Sequence, residues 1–90
     1  MIRHPVTIIN KLGLHARAAA KLVRLASQFT CDIKLAKNIS TEINGKSILG
    51  VMMLAAAKGT ELELIADGKD ETAAIEALQA LIERRFDEAE

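Results

Sequence analysis

The sequence predicts an α+β fold: an open-faced sandwich with a four-stranded antiparallel sheet and three helices on one face, in the order βαββαβα. Three observations carry this. The segments 2–9, 32–37, 41–43 and 60–66 are rich in β-branched residues or alternate apolar with polar ones, the period of a half-buried strand. Two longer stretches, 16–28 and 71–86, repeat apolar residues at helical spacing. Strands that alternate leave one face of their sheet wet, so the helices must cover the other. The 90 residues suit a single domain over 1–90.

In chain order, Ile2 to Ile9 contains Val6-Thr7-Ile8-Ile9 and reads as a strand. Pro5 cannot donate a ladder hydrogen bond, which suits a strand start or an edge. Asn10-Lys11-Leu12-Gly13 is a loop ending in glycine. Ala16 to Gln28 is the first helix. Its Ala19, Leu22, Val23, Ala26 and Phe29 form one buried stripe, and Arg17, Lys21, Arg24 and Gln28 form a basic outer face.

Asp32 to Lys37 alternates strictly, with Ile33 and Leu35 inward, and 37–40 reads as a turn. Thr41 to Ile43 is a short strand ended by Asn44-Gly45. Ser47 to Leu54 is a short helix with Ser47 as its N-cap. After a break at Lys58-Gly59, Thr60 to Ala66 is a strand with Leu62 and Leu64 inward. A turn over 67–70 places Asp70 as N-cap of the last helix, Glu71 to about Phe86, whose core stripe is Ile75, Leu78 and Ile82. Acidic residues at its start and Arg84-Arg85 at its end suit the helix dipole. Asp87 to Glu90 reads as a frayed tail.

Composition excludes several function classes. Twelve basic and twelve acidic residues give zero formal net charge, which argues against electrostatic binding of nucleic acid. Phe29 and Phe86 are the only aromatic residues, too few for a base-stacking platform. Cys31 is the only cysteine, so disulfides within the chain and Cys-pair metal sites are ruled out, and it reads as a small core filler. No stretch has the length of a signal peptide or a membrane span, so a soluble cytoplasmic protein without membrane or nucleic-acid partners is expected.

The chemistry concentrates at Gly13-Leu14-His15-Ala16-Arg17. Here a histidine stands at a helix entrance, where backbone N–H groups lack intrahelical acceptors and the dipole is positive. That environment takes an anion, phosphate above all. A neutral imidazole offers a nucleophilic nitrogen, and the Arg17 guanidinium can chelate phosphoryl oxygens. Ala16, Ala18, Ala19 and Ala20 leave the entrance uncluttered. On the residues alone, an exposed helix entrance with an ordinary surface arginine remains the plain alternative. His4, beside Pro5, has no anion trap near it and reads as structural or merely exposed.

A second feature is the short helix after Ser47. Ile48, Leu49, Val51, Met52, Met53 and Leu54 are too many apolar residues for two turns to bury. Val51 and Leu54 are the core choices. Ile48, Leu49 and Met52 would then form a docking patch kept low by Gly50, with methionine adaptable to several surfaces.

The Gly13 to Arg17 stretch, followed by its Ala-rich helix, resembles the active-site motif of the HPr family of histidine-containing phosphocarriers of the bacterial sugar phosphotransferase system. Asn44-Gly45-Lys46-Ser47-Ile48-Leu49-Gly50-Val51-Met52 resembles that family's regulatory-serine segment. The two blocks lie in the family's order over nearly the whole chain. Ala18 stands where many members carry proline, which restores an N–H donor at the helix start.

The resemblance implies the HPr fold and a phosphocarrier that is a covalent relay intermediate rather than a stand-alone enzyme. His15 would accept phosphate, on Nδ1 in that family, and Arg17 would stabilise it. The implied donor is enzyme I, the acceptors are IIA-type proteins, and the chain is a monomer. No cofactor or metal is implied, the magnesium used upstream belonging to enzyme I. Ala20, Lys21 and Arg24, with Ile48, Leu49 and Met52, would be the partner-binding surface. Ser47 would be the target of an HPr serine kinase/phosphorylase, with Lys46 able to pair with the phosphate. Two alternatives stand beside this: a regulatory module signalling mainly through Ser47, and a small ligand-binding domain, which would need a pocket with convergent polar groups.

Overall fold

A computed structural model of the chain describes residues 1–38 and 41–88. Its elements run β1 (Ile2–Thr7), α1 (Ala16–Ala26), β2 (Asp32–Asn38), β3 (Thr41–Asn44), α2 (Ile48–Met53), β4 (Glu61–Asp67) and α3 (Glu71–Glu83). One antiparallel sheet has the strand order β1-β4-β2-β3. All three helices pack on one side of it, in the predicted open-faced arrangement.

The alternation of each strand sorts its side chains. Val6, Ile33, Leu35, Leu62, Leu64 and Ala66 point into the layer beneath the helices. Arg3, Lys34, Glu42 and Glu63 point to the open face, where Arg3 pairs with Glu63 at 2.8 Å and Lys34 with Glu42 at 3.6 Å. Ile65 also points outward but is buried between its ladder partners Arg3 and Lys34, whose apolar stems cover it. Pro5 sits on β1, an edge strand, opposite Glu63, as its missing donor requires.

Helix α1 buries Ala19, Leu22 and Ala26 as the stripe predicts, with Val23 and Phe29 packed against the core. It also buries Ala18 completely. Ala18 and Ala19 are therefore packing residues and do not contribute to an open surface at the helix entrance. The helix stops at Ala26, two residues early, where Gln28 and Phe29 donate to the carbonyls of Leu25 and Ala26 in a tightened final turn. Strand β1 likewise ends at Thr7, although Ile8 still exchanges backbone hydrogen bonds with Thr60 and Gly59.

Lys37 and Asn38 belong to β2 and not to a turn, with a ladder irregularity between Ala36 and Asn38. The rest of the expected turn, 39–40, lies outside the described residues. Lys37 donates from Nζ to the Leu54 carbonyl at 3.2 Å, a cation placed at the negative end of α2.

Asp70 occupies the N-cap position of α3 without capping it. Its carboxylate accepts instead from the backbone N–H groups of Thr30 and Cys31, both at 2.9 Å. These bonds tie the start of α3 to the entry of β2. The Thr30 N–H is the leading cause that holds the Asp70 carboxyl down at about 2, against some desolvation and with help from Cys31. Burial foremost, then hydrogen bonding and charge from Asp70, push the Cys31 thiol up to about 11. The cysteine is the inert core residue its sequence context suggests.

The last helix ends at Glu83, three residues before the sequence predicts. Arg85, Phe86 and Asp87 all have left-handed backbone, with φ of 57°, 55° and 62°. L residues pay for that conformation, and three contacts hold it here. Phe86 is fully buried in the core, Lys21 of α1 donates to the Phe86 carbonyl at 2.7 Å, and Arg84 Nε donates to Asp87 at 3.0 Å. The turn sends the following residue back toward the start of α1.

Candidate functional site

The loop that carries His15 is fixed by close packing. Gly13 has φ of 67°, and a Cβ there would lie 2.4 Å from the Ala56 carbonyl oxygen and 2.9 Å from Ala57 Cα. Only glycine combines that backbone with that approach. Leu14 N–H donates to the same Ala56 oxygen at 2.8 Å, so the loop is pressed onto the segment that follows α2.

His15 is the N-cap residue of α1, with extended backbone at φ −76° and ψ 179°. Its carbonyl accepts the first helical bond, from Ala19 at 2.8 Å. The amides of Ala16, Arg17 and Ala18 therefore have no acceptor within the helix. Arg17 is exposed in that first turn. The His15 imidazole makes no cap bond and is held elsewhere: Nε2 lies 2.5 Å from Oε2 of Glu88.

Glu88 is itself anchored. Its Oε1 accepts from Nδ2 of Asn10 at 2.8 Å, and the same nitrogen donates to the Gly13 carbonyl at 2.8 Å. Asn10 is fully buried, and its Oδ1 has no hydrogen-bond partner among the described residues. Desolvation opposes ionisation of Glu88. Hydrogen bonds from Asn10 and His15, and the charges of His15 and Arg17, outweigh it and hold the carboxyl below its ordinary range. The expected frayed tail is thus corrected for Asp87 and Glu88: the left-handed turn delivers Glu88 into the site. Ala89 and Glu90 lie outside the described residues.

Asn10 and Glu88 were the parts of the site that sequence reasoning missed. Asn10 reads as one polar residue of a loop, and Glu88 as one carboxylate of an acidic tail. Neither signals a partner more than seventy residues away.

The other candidates take distinct places. Ala20 is half-buried and Arg24 exposed on the outer side of α1. Lys21, between them, spends its ammonium on the Phe86 carbonyl and lies 4.0 Å from the Asp87 carboxylate. On α2, Val51 and Leu54 are buried, whereas Ile48, Leu49 and Met52 are 44%, 68% and 42% exposed. Met53 and Leu12, which the predicted patch omitted, are also exposed. Helices α1 and α2 pack side by side.

Ser47 caps α2 as expected, its Oγ accepting from Gly50 N–H at 3.1 Å. Lys46 does not wait beside it, because its Nζ donates to the Phe29 carbonyl at 2.6 Å. His4 is half-buried on β1 opposite Leu64.

The site is a surface constellation. Concavities among the described residues include one over Arg3, Glu42 and Glu63 on the open sheet face and another over Pro5, Gln79 and Ile82. Among the described residues no group of three or more His, Cys, Asp or Glu side chains is placed to hold a metal ion, and no helix is long and apolar enough to cross a membrane. A nucleophilic ring nitrogen, free helix amides and a guanidinium at an open surface suit transfer of an anionic group between proteins.

Comparison with known proteins gives consistent matches. The family model described as "PTS HPr component phosphorylation site" matches residues 2–84. A phosphocarrier protein HPr from Pseudomonas aeruginosa is 54% identical over 85 residues, which is 94% of each chain. An HPr crystal structure from Thermoanaerobacter tengcongensis superimposes over 100% of both chains with a TM-score of 0.94 at 42% identity. A crystal structure of an HPr dimer from the same organism matches 92% of this chain and 94% of its own, with a TM-score of 0.77 at 44% identity.

Proposed function

This chain belongs to the HPr family, the phosphocarriers of the phosphotransferase system, and within that family we propose that His15 is its phosphoryl acceptor. Phosphate arrives from phospho-enzyme I and leaves to a IIA-type protein, in the cytoplasm. Arg17 and the backbone amides of the exposed Ala16 and Arg17 meet the added charge. The observation that carries the reading is the placement of His15 at the open N-terminus of α1, beside an exposed arginine and with one ring nitrogen unbonded among the described residues.

The same reading assigns the docking surface to Ala20 and Arg24 of α1 with Ile48, Leu49 and Met52 of α2. These apolar side chains are exposed on a helix that packs against α1, and neutral side chains of this kind suit exchange between several partners. Lys21 contributes through the Phe86 turn it holds as much as through its own charge. The carrier works as a monomer. Phosphorylation of Ser47 by an HPr serine kinase/phosphorylase would place a dianion at the start of α2, where the helix end accommodates it, and would change the charge of that surface.

The test is transfer of labelled phosphate from phosphoenolpyruvate through enzyme I to the chain, alongside His15→Ala. Acid-labile label on the wild type and none on the variant supports the relay. No label with a competent enzyme I defeats it and leaves signalling through Ser47 as the reading to pursue.

A further inference from the structure

The contact between Glu88 and His15 assigns a role to a residue outside both motifs. Nε2 of the imidazole faces a carboxylate that can only accept while ionised, so Nε2 must carry the proton. The lone pair is then on Nδ1. Glu88 is anchored by both of its carboxylate oxygens. One of its oxygens is held by the fully buried Asn10, which also holds the Gly13 carbonyl of the His15 loop. Its backbone is aimed by three successive left-handed residues, a conformation held by the buried Phe86 ring together with the Lys21 and Arg84 contacts.

Building on the phosphocarrier reading, we infer that Glu88 is the positioning residue of the site: it fixes the His15 ring and keeps the proton on Nε2 while Nδ1 takes and yields the phosphoryl group. When phosphate arrives, the Nδ1 lone pair forms the N–P bond, and the donor atom keeps the electron pair of the bond it loses. The ring then carries phosphate on Nδ1 and hydrogen on Nε2, with a formal positive charge facing the Glu88 carboxylate. When phosphate leaves, the N–P pair returns to Nδ1. No proton moves in either direction, so the relay is balanced without a general base. The reasoning is that of any imidazole whose second nitrogen is oriented by a carboxylate.

The experiment is long-range 15N–1H correlation spectroscopy of the whole chain at alkaline pH, comparing wild type with Glu88→Ala. Wild-type His15 is expected as a single Nε2–H tautomer. In Glu88→Ala the Nδ1–H form grows several-fold, toward the mixture of a free imidazole, while amide shifts remote from residues 10–17 and 84–88 stay in place. Enzyme I-dependent labelling of Glu88→Ala slows by about tenfold, the lower end of what loss of a carboxylate behind a metal-binding imidazole costs.

An Nδ1–H tautomer in the wild type overturns the inference without any variant. So does an unchanged tautomer ratio in Glu88→Ala, or in Glu88→Leu, which likewise offers no acceptor, if the alanine variant does not fold. The tautomer measurement needs no phosphoryl donor. Label on the wild type with an unfixed tautomer therefore defeats the Glu88 role alone, whereas a fixed tautomer with no label defeats the carrier reading and its proton balance.

Discussion

Glu88 and His15 stand seventy-three positions apart and meet at 2.5 Å. The meeting depends on two fully buried residues, Asn10 and Phe86. Asn10 fixes the carboxylate and the His15 loop with one amide nitrogen. Phe86 fixes the turn that aims the carboxylate. A half-buried imidazole at the surface is in this way tied to the core, which is how a small domain can keep such a ring in one orientation.

Gly13→Ala should be the most damaging single-atom-group change near the site. The new Cβ would meet backbone at 2.4 Å and 2.9 Å, at a φ of 67°, and backbone cannot swing away as a side chain does. The expected cost is at least about 3 kcal/mol, read from urea denaturation, with loss of phosphoryl acceptance in whatever fraction remains folded. A variant as stable as wild type would show that the loop has room the structure denies it.

Asn10→Ala removes a fully buried amide that makes two hydrogen bonds. The Gly13 carbonyl then loses a partner, and Glu88 loses its anchor. The buried Oδ1, unpartnered among the described residues, partly offsets the loss because its own burial already costs. The expected destabilisation is about 1–3 kcal/mol. The His15 tautomer should loosen alongside, as in Glu88→Ala. Loss of stability with an unchanged tautomer would separate the two roles of Asn10.

Local chemistry explains what was legible in the chain. Strand alternation, the α1 stripe and the Ser47 cap depend on neighbours within a few residues, and the sequence displays them. The candidacy of His15 and Arg17 rests on the same kind of local pattern, a histidine and an arginine at a helix entrance. Asn10, Glu88 and Asp70 act across the fold: Asp70 bonds Thr30 and Cys31 forty and thirty-nine residues away, in place of its own helix. Phe86 continues the spacing of Ile75, Leu78 and Ile82, so periodicity extends α3 through it. The burial is correct and the backbone is not, because the same side chain reaches the core from a left-handed turn.

Ser47→Ala should cost about 1 kcal/mol, the usual value of a serine N-cap, because Gly50 N–H loses its acceptor. Ser47→Asp should recover most of that loss, since aspartate caps well and its charge suits the helix start. Urea midpoints of the three proteins decide it. If Ser47→Ala is as stable as wild type, water replaces the hydroxyl and the serine is free for modification at no structural cost.

Asp70 gives a pH dependence with a definite sign. Its carboxyl is held at about 2 in the fold, below the unfolded value of about 3.9. Its contribution is therefore complete above the unfolded value and is lost as pH falls from there through the folded one. Asp70→Asn should lower Tm at neutral pH and flatten the fall in stability over that acid window. A variant with the same acid profile as wild type would place the sensitive carboxylates elsewhere.

Phe86 tests whether the core governs the site. Phe86→Ala leaves a cavity where a fully buried ring stood and should cost about 3–5 kcal/mol, a large share of what a domain of this size has. Phe86→Leu keeps an apolar anchor and should cost less. In the leucine variant the left-handed turn has less to hold it, since Lys21 and Arg84 supply only the Phe86 carbonyl and Asp87 contacts. Glu88 should then leave His15 for part of the time, and the Nε2–H signal should broaden before global stability is lost. A sharp wild-type signal in Phe86→Leu would mean that Asn10 and His15 hold the carboxylate without the turn.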